Sequence, residues 1–287
     1  MTTTFTPKDP IWCAGCGHYG VQGALVNALK ELEIPAHETF VLAGIGCSGS
    51  IQNNINAYGY HSMHGRVLPT AVGAAIANPE LTVIAAGGDG DGYAIGMGHF
   101  VHAIHRNASV LYILMNNAAY GLTKGQDSPT SAAARVAGYS APIDGITLGL
   151  SIPGATFLAR GFTRWSDQLN GLLKQGLEHV RAKKGFALLE ILSPCVTYND
   201  TYPDWDTQLF NVDEDPDYSS ADRGVAFQAI ERLRGEGRIA AGLIHRGEQS
   251  AFEAQWLEDG ICPANLEAHD PQKNLETLRD IMTSYSA

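Results

Sequence analysis

LTVIAAGGDGDGYAIGMGHFVHAIHRNASVLYILMNN, residues 81–117, decides the fold. Residues 81–87 (LTVIAAG) form a short continuous apolar run that stops at Gly88-Asp89-Gly90. Residues 109–115 (SVLYILM) form a second, which stops at Asn116-Asn117. Apolar runs of this length without polar alternation read as strands buried on both faces, and the helix expected over 92–105 makes them parallel neighbours. The pattern extends outward in both directions. Helical spacing covers 17–31, a strand covers 39–45 and ends in Gly46-Cys47-Ser48-Gly49, and a small-residue helix covers 68–77. Strand, helix and strand follow over 155–159, 165–183 and 186–192. The expected fold is α/β, a parallel sheet flanked by helices. Sites in such sheets lie at the carboxyl ends of the strands, where every glycine-rich or polar cluster just named stands.

The pattern changes after about residue 195. Residues 196–220 (VTYNDTYPDWDTQLFNVDEDPDYSS) are acidic, lack a period and read as an irregular surface segment. A helix over 221–234, a strand-like AAGLIH and a last helix near 266–284 complete the chain. The division expected is a main domain over 1–200 and a C-terminal extension over 201–287 that packs on the core or on another subunit.

Composition excludes several classes. Lys plus Arg number 19 against 30 Asp plus Glu among 287 residues, a formal charge of −11. That disfavours sequence-independent nucleic-acid binding, which needs a cationic face. Charged residues are 17 % and hydrophobic ones 45 %, a balance expected of a chain that hides surface in a large core or against partners. No apolar run reaches the length of a membrane span, and MTTTFTPKDP is not a signal peptide. The expectation is a cytoplasmic protein without membrane or nucleic-acid partners. Five cysteines in a reducing compartment suggest metal or redox chemistry rather than disulfides.

The GDG turn and the NN pair, separated by residues 91–115, match the spacing of the thiamine-diphosphate motif. The physical reasons are legible. Two glycines let the backbone approach a diphosphate, and the helix that follows aims unpaired N–H groups at it. Asp89 offers a hard oxygen to Mg²⁺, Asn117 a second from the next strand, and the Ala119 carbonyl a third. Asp91, just after Gly90, suits a cofactor contact as well as a helix start. A Rossmann site is set aside, because no G-x-G-x-x-G with an acid about 20 residues on follows the first strand.

Cys13 and Cys16 stand in Trp12-Cys13-Ala14-Gly15-Cys16-Gly17-His18, Cys47 ends the first strand, and Cys195 follows the strand 186–192. Strand ends on one edge converge, so the four sulfurs suit either Zn²⁺ or a [4Fe–4S] cluster. Cys262 has no partner signature. His99, His102 and His105 read as helix-face histidines rather than a metal stripe. His61 and His64 flank Met63 in a loop, and His64 is a candidate catalytic residue. Lys124, on the loop leaving Gly121, is a candidate for the substrate carboxylate.

WCAGCGHYG (12–20), GIGCSG (44–49), HSMHGRVLPTAVGAA (61–75), GGDGDG (87–92), MNNAAYGLTKGQDSPTS (115–131) and SPCVTYND (193–200) together resemble the β subunit of 2-oxoacid:ferredoxin oxidoreductases. The resemblance spans 12–200; beyond about 220 no motif matches. It implies the thiamine-diphosphate (diphosphate-type) fold and one [4Fe–4S] cluster on Cys13, Cys16, Cys47 and Cys195. It implies Mg²⁺ on Asp89, Asn117 and the Ala119 carbonyl. Thiamine-diphosphate contacts are implied for Ile45, Gly46, Cys47, Ser48, His64, Gly65, Gly90, Asp91, Gly121 and Leu122. It also implies an α subunit that brings the pyrimidine-binding domain and its glutamate, in an αβ or (αβ)₂ assembly. The reaction implied is oxidative decarboxylation of a 2-oxoacid, 2-oxoglutarate favoured, with coenzyme A as acyl acceptor and ferredoxin as electron acceptor. Two alternatives stand beside it: a non-oxidative thiamine-dependent decarboxylase subunit, and an iron–sulfur electron-transfer module without catalysis.

Overall fold

A computed structural model describes residues 5, 9–132, 141–259, 261–265 and 271–285. Most of the N-terminal stretch read for a signal, and residues 266–270 of the last expected helix, lie outside the described residues. In chain order the elements are α1 (His18–Glu31), β1 (Thr39–Ala43), β2 (Tyr58–His61), α2 (Val67–Ala77), β3 (Thr82–Gly88), α3 (Met97–Arg106) and β4 (Val110–Asn116). Then come α4 (Gly145–Ser151), β5 (Phe157–Phe162), α5 (Ser166–Arg181), β6 (Ala187–Leu192), α6 (Tyr202–Gln208) and β7 (Leu209–Asn211). The chain ends with α7 (Arg223–Gly235), β8 (Ile239–Arg246), α8 (Ala254–Glu258) and α9 (Pro271–Ser284). No helix among the described residues is long and apolar enough to cross a membrane.

The eight strands form one sheet in the order β2-β1-β3-β4-β6-β5-β8-β7. All pairs are parallel except β5 with β8, which is antiparallel. Successive side chains of a strand point to opposite faces, and the two cores follow that alternation. Ile84, Ala86, Leu111, Ile113 and Met115 pack under α1 and α5. Val83, Ala85, Val110, Tyr112 and Leu114 pack against α2, α3, α4 and α7 on the other face. Each buried Val, Leu, Ile or Met contributes about 1.5–3 kcal/mol, which explains why β3 from Val83 to Ala86 and β4 from Val110 to Met115 are apolar apart from the Tyr112 hydroxyl.

Three differences from the sequence reading have physical causes. The expected helix 92–105 is broken: Asp91–Ile95 form a π-helical turn, and α3 starts only at Met97. A π turn widens the helix and is common at functional sites; here it carries Asp91 into the sheet edge. Strand β5 runs to Phe162 instead of stopping at 159, because the buried Arg160 is neutralised. Its guanidinium pairs with Glu190 (2.6 Å) and Asp144 (2.7 Å), and a buried charge survives only when paired in this way. Finally, residues 196–220 are not an irregular surface segment. They hold α6 and β7, and Trp205, Leu209 and Val212 are buried. Trp205 and Leu209 pack on Phe162, Leu192 and Ala241, sealing the ends of β5 and β6. The sheet also continues past residue 200, since AAGLIH lies within β8 and pairs with β5.

Candidate active site

Neighbouring strands end on one edge and each delivers a different group. β1 leads into Ile45-Gly46-Cys47, β2 into the loop with His64, β3 into Asp89, β4 into Asn117 and β6 into Ser193 and Cys195. Hydrogen bonds extend the ladder past the strands: Gly44 N–H donates to Ala86 O (2.8 Å), Ser62 N–H to Ala43 O (2.7 Å) and Ser193 N–H to Asn116 O (2.7 Å). Loops that begin on a continued ladder start from defined positions, which is how residues far apart in sequence meet.

They meet around a cavity of about 570 Å³. Asp89, Asn117 and Ala119 line it, with Ile45, Gly46, Cys47, Ser48, His64, Gly90, Asp91, Gly121 and Leu122. Gly65 does not line it; its N–H donates instead to Asp91 Oδ1 (2.8 Å). The same oxygen accepts from Ile45 N–H (3.0 Å) and bonds His64 Nδ1 (2.8 Å). Asp91 thereby ties the β1 turn, the His64 loop and the π turn into one cradle. Lys124 is exposed and does not line this cavity, although Leu122 and Thr123 of its loop do. His61 lies outside the cavity and bonds Gln52 (3.4 Å).

A second cavity of about 190 Å³ adjoins the first and is lined by Cys13, Cys16, Cys47 and Cys195. The two share Cys47, Asn117, Gly121, Leu122 and His18 as walls. A Cβ on Gly121 would lie 3.5 Å from Cys47 Sγ and 3.6 Å from Cys195 Sγ, which puts this loop between two of the thiols. The cysteine-bearing N-terminal segment is clamped to the strand ends. Trp12 Nε1 donates to Cys47 O (2.7 Å), Gly17 N–H to Pro194 O (3.1 Å), and His18 Nδ1 meets Ser193 Oγ at 2.6 Å. Glycine is required at 17, because a Cβ there would stand 2.7 Å from the Ser193 backbone. Cys262 is remote from these and contacts Asn78. Among the described residues no three His, Cys, Asp or Glu side chains gather closely enough to share a single metal ion; that holds for His99, His102 and His105 too.

The electrostatics follow from burial. Asp89 is wholly buried; burial raises its carboxyl above the ordinary range against the pull of two hydroxyls. Those belong to Ser128 and Thr130, each 2.5 Å from Asp89 Oδ2. Burial pushes the Cys16 thiol up to about 11, with Cys195, Cys47 and Cys13 adding to it. It lowers His18 to about 4, so that ring is neutral at pH 7. Asp89 and Cys195 are thus potentially anionic donors held out of water, the setting a bound cation relieves, while Cys16 and Cys47 are half-buried and Cys13 is exposed.

Sequence reasoning missed Ser128 and Thr130. They were visible in the quoted run GQDSPTS, but nothing in their spacing says that the loop returns to Asp89. It also missed the polar chain behind the site. Thr130 Oγ1, whose proton goes to Asp89, lies 2.9 Å from Asn116 Oδ1; Asn116 Nδ2 donates to Glu190 Oε1 (3.0 Å), and Glu190 pairs with Arg160.

Residues 44–191 match the family model for the thiamine pyrophosphate enzyme, C-terminal TPP binding domain. The chain is 41 % identical over 280 residues to a 2-oxoacid:ferredoxin oxidoreductase subunit beta of Saccharolobus solfataricus, covering 90 % of each chain. It is 40 % identical over 249 residues to 2-oxoacid:ferredoxin oxidoreductase 1, subunit beta, of Aeropyrum pernix, covering 82 % of this chain and 77 % of that one. Its structure superposes with a TM-score of 0.83 and 31 % identity on a 2-oxoglutarate:ferredoxin oxidoreductase from Magnetococcus marinus solved with 2-oxoglutarate, coenzyme A and succinyl-CoA bound. That match covers 95 % of this chain and 93 % of the other. The strand-end site and these matches agree: the chain belongs to the family of 2-oxoacid:ferredoxin oxidoreductase β subunits.

Proposed function

We propose that this chain holds the diphosphate end of thiamine diphosphate with Mg²⁺ in the larger cavity and a [4Fe–4S] cluster in the smaller one. It would use them, with an α subunit, to oxidise a 2-oxoacid. The observation that carries this reading is the shared wall: the cavity lined by Asp89, Asn117 and Ala119 and the cavity lined by the four thiols have Cys47, Asn117 and Gly121 in common. The donor sets fit. Asp89 and Asn117 with the Ala119 carbonyl offer hard oxygens of the kind Mg²⁺ takes. Four thiols around one cavity offer the donor set that a [4Fe–4S] cluster takes, and Zn²⁺ takes it too. When bound, thiamine diphosphate supplies the decarboxylation chemistry, and the cluster accepts the electrons on their way to ferredoxin.

The chain's own residues bind and orient. Gly90 and Asp91, at the start of the π turn, line the cavity, and their backbone N–H groups would help hold a diphosphate. The bond from His64 Nδ1 to the Asp91 carboxylate puts a proton on Nδ1 and fixes the ring at the wall of the cavity. No glutamate lines the larger cavity among the described residues, which supports a pyrimidine-binding α subunit in an αβ or (αβ)₂ assembly. Ile45 and Leu122 at that cavity, and Met63 beside it, are exposed apolar residues that such a partner would cover. Purified alone, the chain is expected to show no 2-oxoacid-dependent dye reduction, and co-purified α subunit to restore it. Turnover by the isolated chain would refute the split site.

The substrate favoured is 2-oxoglutarate, with coenzyme A as acyl acceptor, supported by the ligands of the Magnetococcus marinus enzyme. Steady-state rates of the complex with a 2-oxoacid panel, coenzyme A and a low-potential dye test it; a preference for pyruvate would overturn it. Lys124 is the candidate for the substrate carboxylate from the cavity rim. Its backbone is left-handed (φ 76°), and its N–H donates to Gly121 O, which fixes the loop beside the cofactor turn. Lys124→Ala is expected to lower kcat/KM by about 10–150-fold, the loss of one charged hydrogen bond. Iron content and cofactor affinity should hold. A loss under threefold would mark a solvated lysine.

A further inference from the structure

Asp91 uses only one of its carboxylate oxygens. Oδ1 takes the Ile45 and Gly65 N–H groups and His64 Nδ1, while Oδ2 is buried with no partner among the described residues. One other orphan lies close by. Tyr112, in the middle of β4, is wholly buried, its ring packed between Phe100 and Phe186, and its hydroxyl too has no partner. A Cβ on Gly87 would stand 3.0 Å from Asp91 Oδ2 and 3.0 Å from the Tyr112 hydroxyl, so the two are no further apart than twice that distance. A side chain larger than glycine at 87 would enter the space between them. Buried polar atoms are rarely left unsatisfied. A donor and an acceptor facing one small gap, too far apart to bond directly, are the two partners that a bridging water needs.

We propose that Tyr112 is a positioning residue of the cofactor site: through one shared water its hydroxyl donates toward Asp91 Oδ2 and holds the carboxylate that orients His64 and the Ile45 and Gly65 turns. Burial and the Asp91 and Asp89 carboxylates push the Tyr112 hydroxyl well above its ordinary value, which keeps it a donor. Tyr112 touches no substrate or cofactor and acts only by fixing the torsion of Asp91. Sequence gave it no signal, since a tyrosine within SVLYILM reads as core. The inference rests on the thiamine-diphosphate reading of the site.

The test uses the co-purified αβ complex, with thiamine diphosphate and Mg²⁺ titrated by protein fluorescence. Tyr112→Phe keeps the ring and removes only the hydroxyl; it is expected to raise the cofactor Kd about 5–30-fold. At saturating cofactor, the KM for 2-oxoglutarate and the iron content should remain those of wild type. Gly87→Ala, which keeps the tyrosine and fills the gap with a methyl, should raise Kd similarly, and it decides the matter alone if the phenylalanine variant does not fold. The double variant should bind no more weakly than the weaker single one, because both remove the same bridge. An unchanged Kd in Tyr112→Phe, or effects that multiply in the double variant, would overturn the proposal. A wild-type complex that binds no thiamine diphosphate would instead overturn the cofactor reading itself.

Discussion

Asp89→Ala is expected to weaken thiamine-diphosphate and Mg²⁺ binding by more than about 100-fold while leaving the iron content unchanged. Groups that merely support a metal ligand cost about 10–100-fold when removed, and Asp89 is placed to be the ligand itself. It stands directly after β3 and is wholly buried at the cavity. Its loss removes the anionic oxygen and also strands the Ser128 and Thr130 hydroxyls that now donate to it. Those two residues supply a graded control: Ser128→Ala or Thr130→Val should cost about 10-fold, within the range for supporting groups. Calorimetric titration of the complex measures all three. An Asp89→Ala complex that binds the cofactor normally would remove Asp89 from the metal site.

The second large effect concerns the thiols. Cys195→Ala is expected to lose the cluster, leaving a complex without stoichiometric iron and without ferredoxin reduction, whereas Cys262→Ala keeps both. Cys195 is buried at the end of β6 and shares its cavity with Cys13, Cys16 and Cys47. Cys262 lies elsewhere, against Asn78. Iron and acid-labile sulfide per complex, with the visible absorption and its bleaching by reductant, give the answer. Zinc in place of iron in the wild type would favour the non-oxidative alternative. Iron loss in Cys262→Ala with retention in Cys195→Ala would reverse the assignment.

Local sequence determined the central part of the molecule. LTVIAAG and SVLYILM admit no exposed face, so they had to be inner strands, and the groups that break them, Asp89 and Asn117, had to lie at strand ends. Parallel neighbours place those ends on one edge, and so the grouping of Asp89 with Asn117 and of Cys47 with Cys195 could be read before any coordinates. The clustered motifs then identified the family, because each is short, contiguous and held by backbone geometry that few other residues satisfy.

Tertiary structure alone decided what depends on pairing between distant segments. Arg160 looks like the end of a strand until Glu190 and Asp144 are beside it, and Trp205 looks like a surface residue until Phe162 and Leu192 are under it. AAGLIH declares a strand but not that it runs antiparallel beside β5, since partner and direction are set by which edge remains open after the helices have packed. Ser128 and Thr130 reach Asp89, and Tyr112 faces Asp91, across about 40 and 20 residues of chain respectively. A buried polar group takes whatever partner the fold brings within hydrogen-bond range. That choice is made by the packing of whole strands and helices, not by the residues on either side of it.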